Sequence, residues 1–159
     1  MSAQTSYTRN LRKALAGMIF DLSDRVLSSR SCENGPCAFG IGVTRGTDAD
    51  NQAEPAVDET GFKGITVRAL DMEGAANTGL IQYEDTESMA IMEKGKIWVT
   101  VPAGCVPGDL AKYTNGTGVI DAGAAGAGET QLDGYFDTTA AAGEVAVLVL
   151  NSTSTTAGA

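Results

Sequence analysis

The sequence predicts an all-β protein: a β-sandwich, a jelly-roll-like body or a small β-barrel, preceded by an N-terminal arm that is extended or partly helical. Three observations carry this. Short apolar runs recur at intervals of about ten residues with turn residues between them, as in sandwiches and barrels. Within the runs apolar residues alternate with a period of two, as Ile97, Val99 and Val101 do around Trp98 and Thr100. Glycine makes up 20 of the 159 residues, beside abundant Ala, Ser and Thr, a composition that favours tight turns over long helices. A chain of this length buries roughly 68–70% of its unfolded surface, enough for one core without disulfides or metal. The expected organisation is an arm over residues 1–36, a β-rich body over 37–151 and a flexible tail over 152–159.

In the arm, Leu11, Leu15, Met18, Leu22 and Val26 recur at spacings of three and four, as on an amphipathic helix. Gly17 weakens that helix, and the same residues suit an extended segment whose apolar side chains dock on a partner. The sequence leaves both open. Glu33-Asn34-Gly35-Pro36 reads as a turn. Cys37–Arg45 reads as a strand, and its glycines suggest a bulge or a close backbone approach. Residues 46–61 are acidic and polar and read as an exposed loop. Phe62–Arg68 reads as a strand with Ile65 and Val67 on one face.

Residues 71–78 read as a loop, and Leu80–Tyr83 as a short strand. Met89 and Ile91 suggest a strand that pairs with the one at Ile97 through a turn at Lys94-Gly95. Pro102 ends the Ile97–Val101 strand or sits at its edge, because it has no N–H for a ladder. Val106-Pro107-Gly108-Asp109 suits a type II turn, proline presetting the first central position and glycine accepting positive φ at the second. Asn115-Gly116 is a further turn pair, between Tyr113 and Val119, and Gly118-Val119-Ile120 reads as a short strand. Residues 122–131 are Gly/Ala-rich and read as a loop. Val145–Leu150 is continuously apolar, as in a strand covered on both faces. The expected core positions are Ile65, Val67, Ile97, Val99, Val101, Val145, Val147, Leu148 and Val149.

Chemistry is hard to place on this chain. There is no histidine, so no histidine-based triad or dyad can form. Cys105 has no base beside it in sequence and no visible electropositive setting. Acidic neighbours such as Glu84-Asp85 and Asp58-Glu59 lie outside any EF-hand pattern. Gly40-Ile41-Gly42 lacks the third glycine of a dinucleotide fingerprint, and the Gly/Ala run lacks the ending of a P-loop. Cys32, Cys37 and Cys105 form neither a CxxC pair nor a zinc pattern, and reduced thiols are the expectation. Trp98 within an alternating strand reads as core or subunit interface. The expectation is a protein with no enzymatic activity, no catalytic residue, no cofactor and no metal.

Net charge is −9, which disfavours nucleic acid as a partner. The charge is uneven: residues 1–30 carry five basic and two acidic side chains, residues 46–93 two basic and eleven acidic. A basic arm on an acidic body suits contact with acidic surface, its own or a partner's. No apolar run reaches the roughly 18 residues of a membrane span. Residues 14–20 make a short core for a signal peptide, Asp21 follows at once, and no small-x-small site comes after it, so the chain reads as unsecreted.

In order along the chain stand Ala16–Leu22 with Ser29-Arg30, Ala38-Phe39-Gly40, Phe62–Arg68, Met92–Val99 with Gly108-Asp109, and Phe136-Asp137-Thr138 followed by Ala141–Leu148. In that order they resemble the structural cement, or head-decoration, proteins of tailed bacteriophages. The resemblance implies a β-sandwich or barrel body with an arm, sitting on the outer surface of an icosahedral head. There it would bridge neighbouring major capsid proteins and stabilise the shell against internal DNA pressure. It implies synthesis in the bacterial host cytoplasm and the major capsid protein and further copies of itself as partners, a homotrimer favoured over a dimer, with neither nucleic acid nor membrane. The arm residues expected to touch the capsid are Arg9, Arg12, Lys13, Met18, Ile19 and Phe20. The rival expectation is a surface-displayed β-sandwich that binds glycans through Tyr83, Tyr113 or Tyr135.

Overall fold

The computed structural model describes residues 14–58, 60–69 and 82–158. Through them run the strands β1 (Val26–Cys32), β2 (Gly42–Arg45), β3 (Gln52–Pro55), β4 (Phe62–Thr66), β5 (Ser88–Val101), β6 (Leu110–Thr114), β7 (Ile120–Ala122), β8 (Glu129–Phe136) and β9 (Glu144–Ala157). Among the described residues there is no helix. The strand order is β1-β3-β2-β4-β5-β9-β8-β6-β7, and β1 also pairs with β5. That last pairing closes β1, β3, β2, β4 and β5 into a five-stranded barrel. The remaining strands extend from β5 as an open antiparallel sheet through β9, β8, β6 and β7. The fold is therefore all-β, a small barrel joined to a sheet by one shared strand.

β5 does this by changing partners halfway. Its first half pairs with β1 and β4, and residues 95–101 pair with β9. Leu27 stands opposite Met92 but Val26 opposite Lys94, so β5 carries one extra residue there. Such a bulge inverts which side chains face which way. Met89 and Ile91 are buried on one side of it, and Met92, Ile97, Val99 and Val101 are buried after it. Gly95, at φ +131°, supplies backbone freedom at this point. The turn expected at Lys94-Gly95 is thus a bulge inside one long strand. Glycine within an apolar pattern signals either, and only the partner strands decide.

Two cores result. Cys32, Val43, Ala53, Met89 and Ile91 come from four of the barrel's staves and meet Cys37, Phe39 and Tyr83 inside it. The second core lies between the barrel's outer wall and the inner face of the sheet. Phe62, Ile65 and Met92 pack there against Ile97, Val99, Tyr113, Ile120, Phe136, Leu148 and their neighbours. Ile65, Val67, Ile97, Val99, Val101, Val147 and Leu148 are buried. Val145 and Val149, expected in the core, are half-buried on the outer face of the sheet.

Two further differences concern the chain ends. β1 lies within the stretch expected to be arm and is a stave of the barrel. β9 continues to Ala157, in ladder with Thr130–Leu132 of β8, where a flexible tail was expected. The strand expected over Cys37–Arg45 is regular only from Gly42. The turn at Val106–Asp109 forms as its residues dictate: Asp109 N donates to the Val106 carbonyl at 3.1 Å, and Gly108 sits at φ +94°.

Candidate functional site

Before β1 the chain runs beside the second half of β5. Gly17 N donates to the Trp98 carbonyl at 2.7 Å, Trp98 N to the Met18 carbonyl at 2.9 Å, and Phe20 N to the Lys96 carbonyl at 2.9 Å. Ile19 stands opposite Ile97. After an excursion over residues 21–25, where Ser23 N and Oγ both donate to Asp21 Oδ1, β1 takes up the same edge of β5 from Lys94 to Ser88. Residues 17–32 thus form one interrupted strand antiparallel to β5. The edge that β5 would otherwise leave open where it departs from the barrel is covered by the chain itself, the usual protection against unwanted strand pairing.

Gly17 fixes this docking. It is buried at φ +82°, and its carbonyl accepts from Arg68 N at 2.7 Å. A Cβ placed there would lie 2.8 Å from Phe39 Cβ and 2.9 Å from Arg68 N, so no side chain fits without moving backbone.

Docking turns Ile19 inward against the second core and leaves Phe20 on the outer face of the sheet. There its ring centroid lies 5.7 Å from that of Trp98, tilted by 58°. Lys96 Nζ lies 5.7 Å from the Phe20 ring and 3.2 Å from Asp137, whose carboxylate holds the ammonium above its ordinary pKa. In register with Lys96 stand Val149, Tyr135 and Leu110 on β9, β8 and β6. At about 4.8 Å per strand, the row crosses most of the sheet. Phe20 is 44% exposed, Tyr135 39% and Leu110 53%. This outer face is an aromatic and aliphatic row with one ion pair at its edge, and its chemistry is that of a contact surface.

Of the expected arm residues, Met18 and Phe20 are exposed and Ile19 is half-buried against the body. Arg9, Arg12 and Lys13 lie outside the described residues. Trp98, read as core or interface, is half-buried beneath Phe20. Tyr135 was expected at the surface only by the glycan-binding alternative, whereas Leu110 was not singled out and Val149 was expected in the core.

The aromatic platform expected of a glycan binder does not assemble. Tyr83 is buried in the barrel, its hydroxyl donating to the Val67 carbonyl at 2.6 Å. Tyr113 is buried with its hydroxyl on the Asp58 carbonyl at 2.7 Å and its ring stacked on Phe62. Both serve the core, and Tyr135 alone of the three reaches the surface. Among the described residues no group of three or more acidic or cysteine side chains could hold a metal ion.

The family model described as "Structural cement protein (E217 gp24/Pam3 gp6)" matches residues 3–151. Among solved structures, a chain from the capsid of Myoviridae phage XM1 is similar at a TM-score of 0.68 and 19% identity, covering 95% of this chain and 98% of that one. The N base of head fibre gp8.5 of bacteriophage phi29 matches at a TM-score of 0.46 and 14% identity, covering 83% of this chain and 98% of that one. The curated proteins contain no match.

Proposed function

The chain belongs to the structural cement protein family of phages, and from that premise we propose that it is a non-enzymatic cement on the outer surface of the head. Each copy bridges neighbouring major capsid proteins and helps the shell withstand the pressure of packaged DNA. The observation that carries this reading is the extent of the family match, which takes in the arm and both halves of the β body together.

The geometry suits such a role. A barrel and a sheet sharing one strand make a body that resists shear. The arm is anchored at residues 17–20 by three hydrogen bonds to β5, so the basic residues before it start from a fixed point. Arg9, Arg12 and Lys13 would meet acidic capsid surface, and Met18 and Phe20 would add apolar contact. Weak contacts suffice, because docking many copies on a lattice multiplies them. Self-association, as a homotrimer in preference to a dimer, would bring several arms to one local symmetry axis.

Deletion of Ser2–Asp21 is the direct test. The truncated protein should keep its β-sheet circular dichroism and a cooperative melt, and should lose cosedimentation with undecorated heads. Normal decoration by the truncated protein would remove the arm from the account.

A further inference from the structure

Cys32 ends β1, and Cys37 follows the four-residue turn after it. Their Sγ atoms are 3.0 Å apart, about 1 Å more than a disulfide bond. Cys32 is 1% exposed and Cys37 0%. Each backbone is held by its own partners. Cys32 N donates to the Glu87 carbonyl and its carbonyl accepts from Thr86 N, at 2.7 and 2.8 Å. Cys37 exchanges two hydrogen bonds with Tyr83, at 2.8 and 2.9 Å. The turn between them leaves no spare room: a Cβ on Gly35 would lie 3.1 Å from Cys32 Sγ and 2.9 Å from Asp85 N. The two sulfurs therefore meet because two separately anchored pieces of backbone bring them together, and bonding them needs little movement of either.

We propose that Cys32 and Cys37 are an intramolecular disulfide site, reduced in reducing surroundings and oxidised when the protein meets a peroxide. The two sulfurs share a hydrogen bond that either can donate, and this contact with Cys37 holds the Cys32 pKa below its ordinary value, against burial and the nearby Asp85 carboxylate. Cys32 is the attacking sulfur. It displaces one oxygen of hydrogen peroxide, the O–O bond breaks, and Cys32 sulfenic acid and one water form. Cys37 Sγ then attacks the Cys32 sulfur, the S–O bond breaks, and a second water leaves. Two thiols lose two electrons and two protons, and the peroxide is reduced to water. A small neutral oxidant suits the site, since burial and the acidic Asp85, Glu87 and Glu54 oppose a large anionic one. Cys105 lies in the other core with its thiol on the Thr138 carbonyl, and serves as an internal control. The bond would clip the end of β1 to the turn that follows it, tightening the place where the barrel closes.

The full chain is treated with hydrogen peroxide or kept in reductant, then denatured and alkylated. Peptide mapping should find a Cys32–Cys37 link, a mass lower by two hydrogens and an alkylated Cys105. Oxidation should raise Tm by roughly 5 °C, reductant should reverse the gain, and Cys37→Ser should abolish it. Cys105→Ala should keep both the link and the gain. Separate alkylation of Cys32 and Cys37 after peroxide, their conversion to sulfinic acids, or a bond through Cys105 of another copy would each overturn the inference. It rests on the barrel alone, so its failure and the failure of the capsid role are distinguishable.

Discussion

Replacing Gly17 by alanine puts a methyl group where the chain leaves no room. Alanine at φ +82° costs about 1–2 kcal/mol in backbone strain, and its Cβ would lie 2.8 and 2.9 Å from Phe39 Cβ and Arg68 N. The segment can escape by leaving β5. That sacrifices the three hydrogen bonds to Trp98 and Lys96, at about 1 kcal/mol each, and the burial of Ile19, worth about 1–2 kcal/mol. The variant takes whichever route costs less, so stability should fall by about 2–4 kcal/mol. For a chain of this length that is a drop in Tm of roughly 4–16 °C. Hydrogen exchange should show faster exchange at Gly17, Phe20 and Trp98, whose amides make or neighbour these bonds, while the amides of β8 and the first half of β9 keep their protection. Head binding should weaken too, because the arm loses its anchor. Unchanged exchange at Trp98 together with wild-type stability would refute the claim that Gly17 sets the docking.

Ile97→Ala removes a fully buried side chain opposite Ile19 in the second core and should cost about 2–5 kcal/mol, read by urea unfolding; a loss below 1 kcal/mol would mean the site collapses around the cavity. Glu93 supplies a pH dependence. Burial pushes its pKa up, but the Lys63 ammonium 2.6 Å away and the nearby Arg30 outweigh it and hold the carboxylate below its ordinary 4.5. The folded protein then binds fewer protons here than the unfolded chain. The stabilisation is complete above the unfolded value and is lost as pH falls through the lower folded one. Lys63→Gln should therefore bring the acid loss of Tm to a higher pH, and superposable Tm–pH curves for the two proteins would contradict the pairing.

What the sequence disclosed follows from which forces are local. The alternation of Ile97, Val99 and Val101 places them in the core, and Pro107-Gly108 forms the turn its two residues demand. β1 was hidden because its side chains toward the barrel include Ser28 and Arg30, paired with Ile91 and Met89 of β5. No apolar period announces such a strand, and its parallel pairing with β3 is nonlocal. β9 was read short because its last residues are Ser and Thr, held by a ladder to β8 rather than by burial. The three-and-four spacing of Leu15, Met18 and Leu22 suited a helix, yet all three are exposed; the segment follows β5 because Gly17 admits a backbone no helix uses. Phe20 and Trp98 were each singled out, one for the arm and one for the body. Their contact depends on a pairing between residues far apart in the chain. Cys32 and Cys37 stood in plain sight, and only the positions of Tyr83 and Glu87 show that they meet.

On this reading the protein fastens onto the outside of a capsid. Purified full-length protein mixed with undecorated heads, sedimented and then imaged, tests it most directly. The protein should pellet with the heads, and new density should appear on the outer surface across neighbouring major capsid subunits. Protein left in the supernatant, or density confined to the interior of the shell, would contradict it.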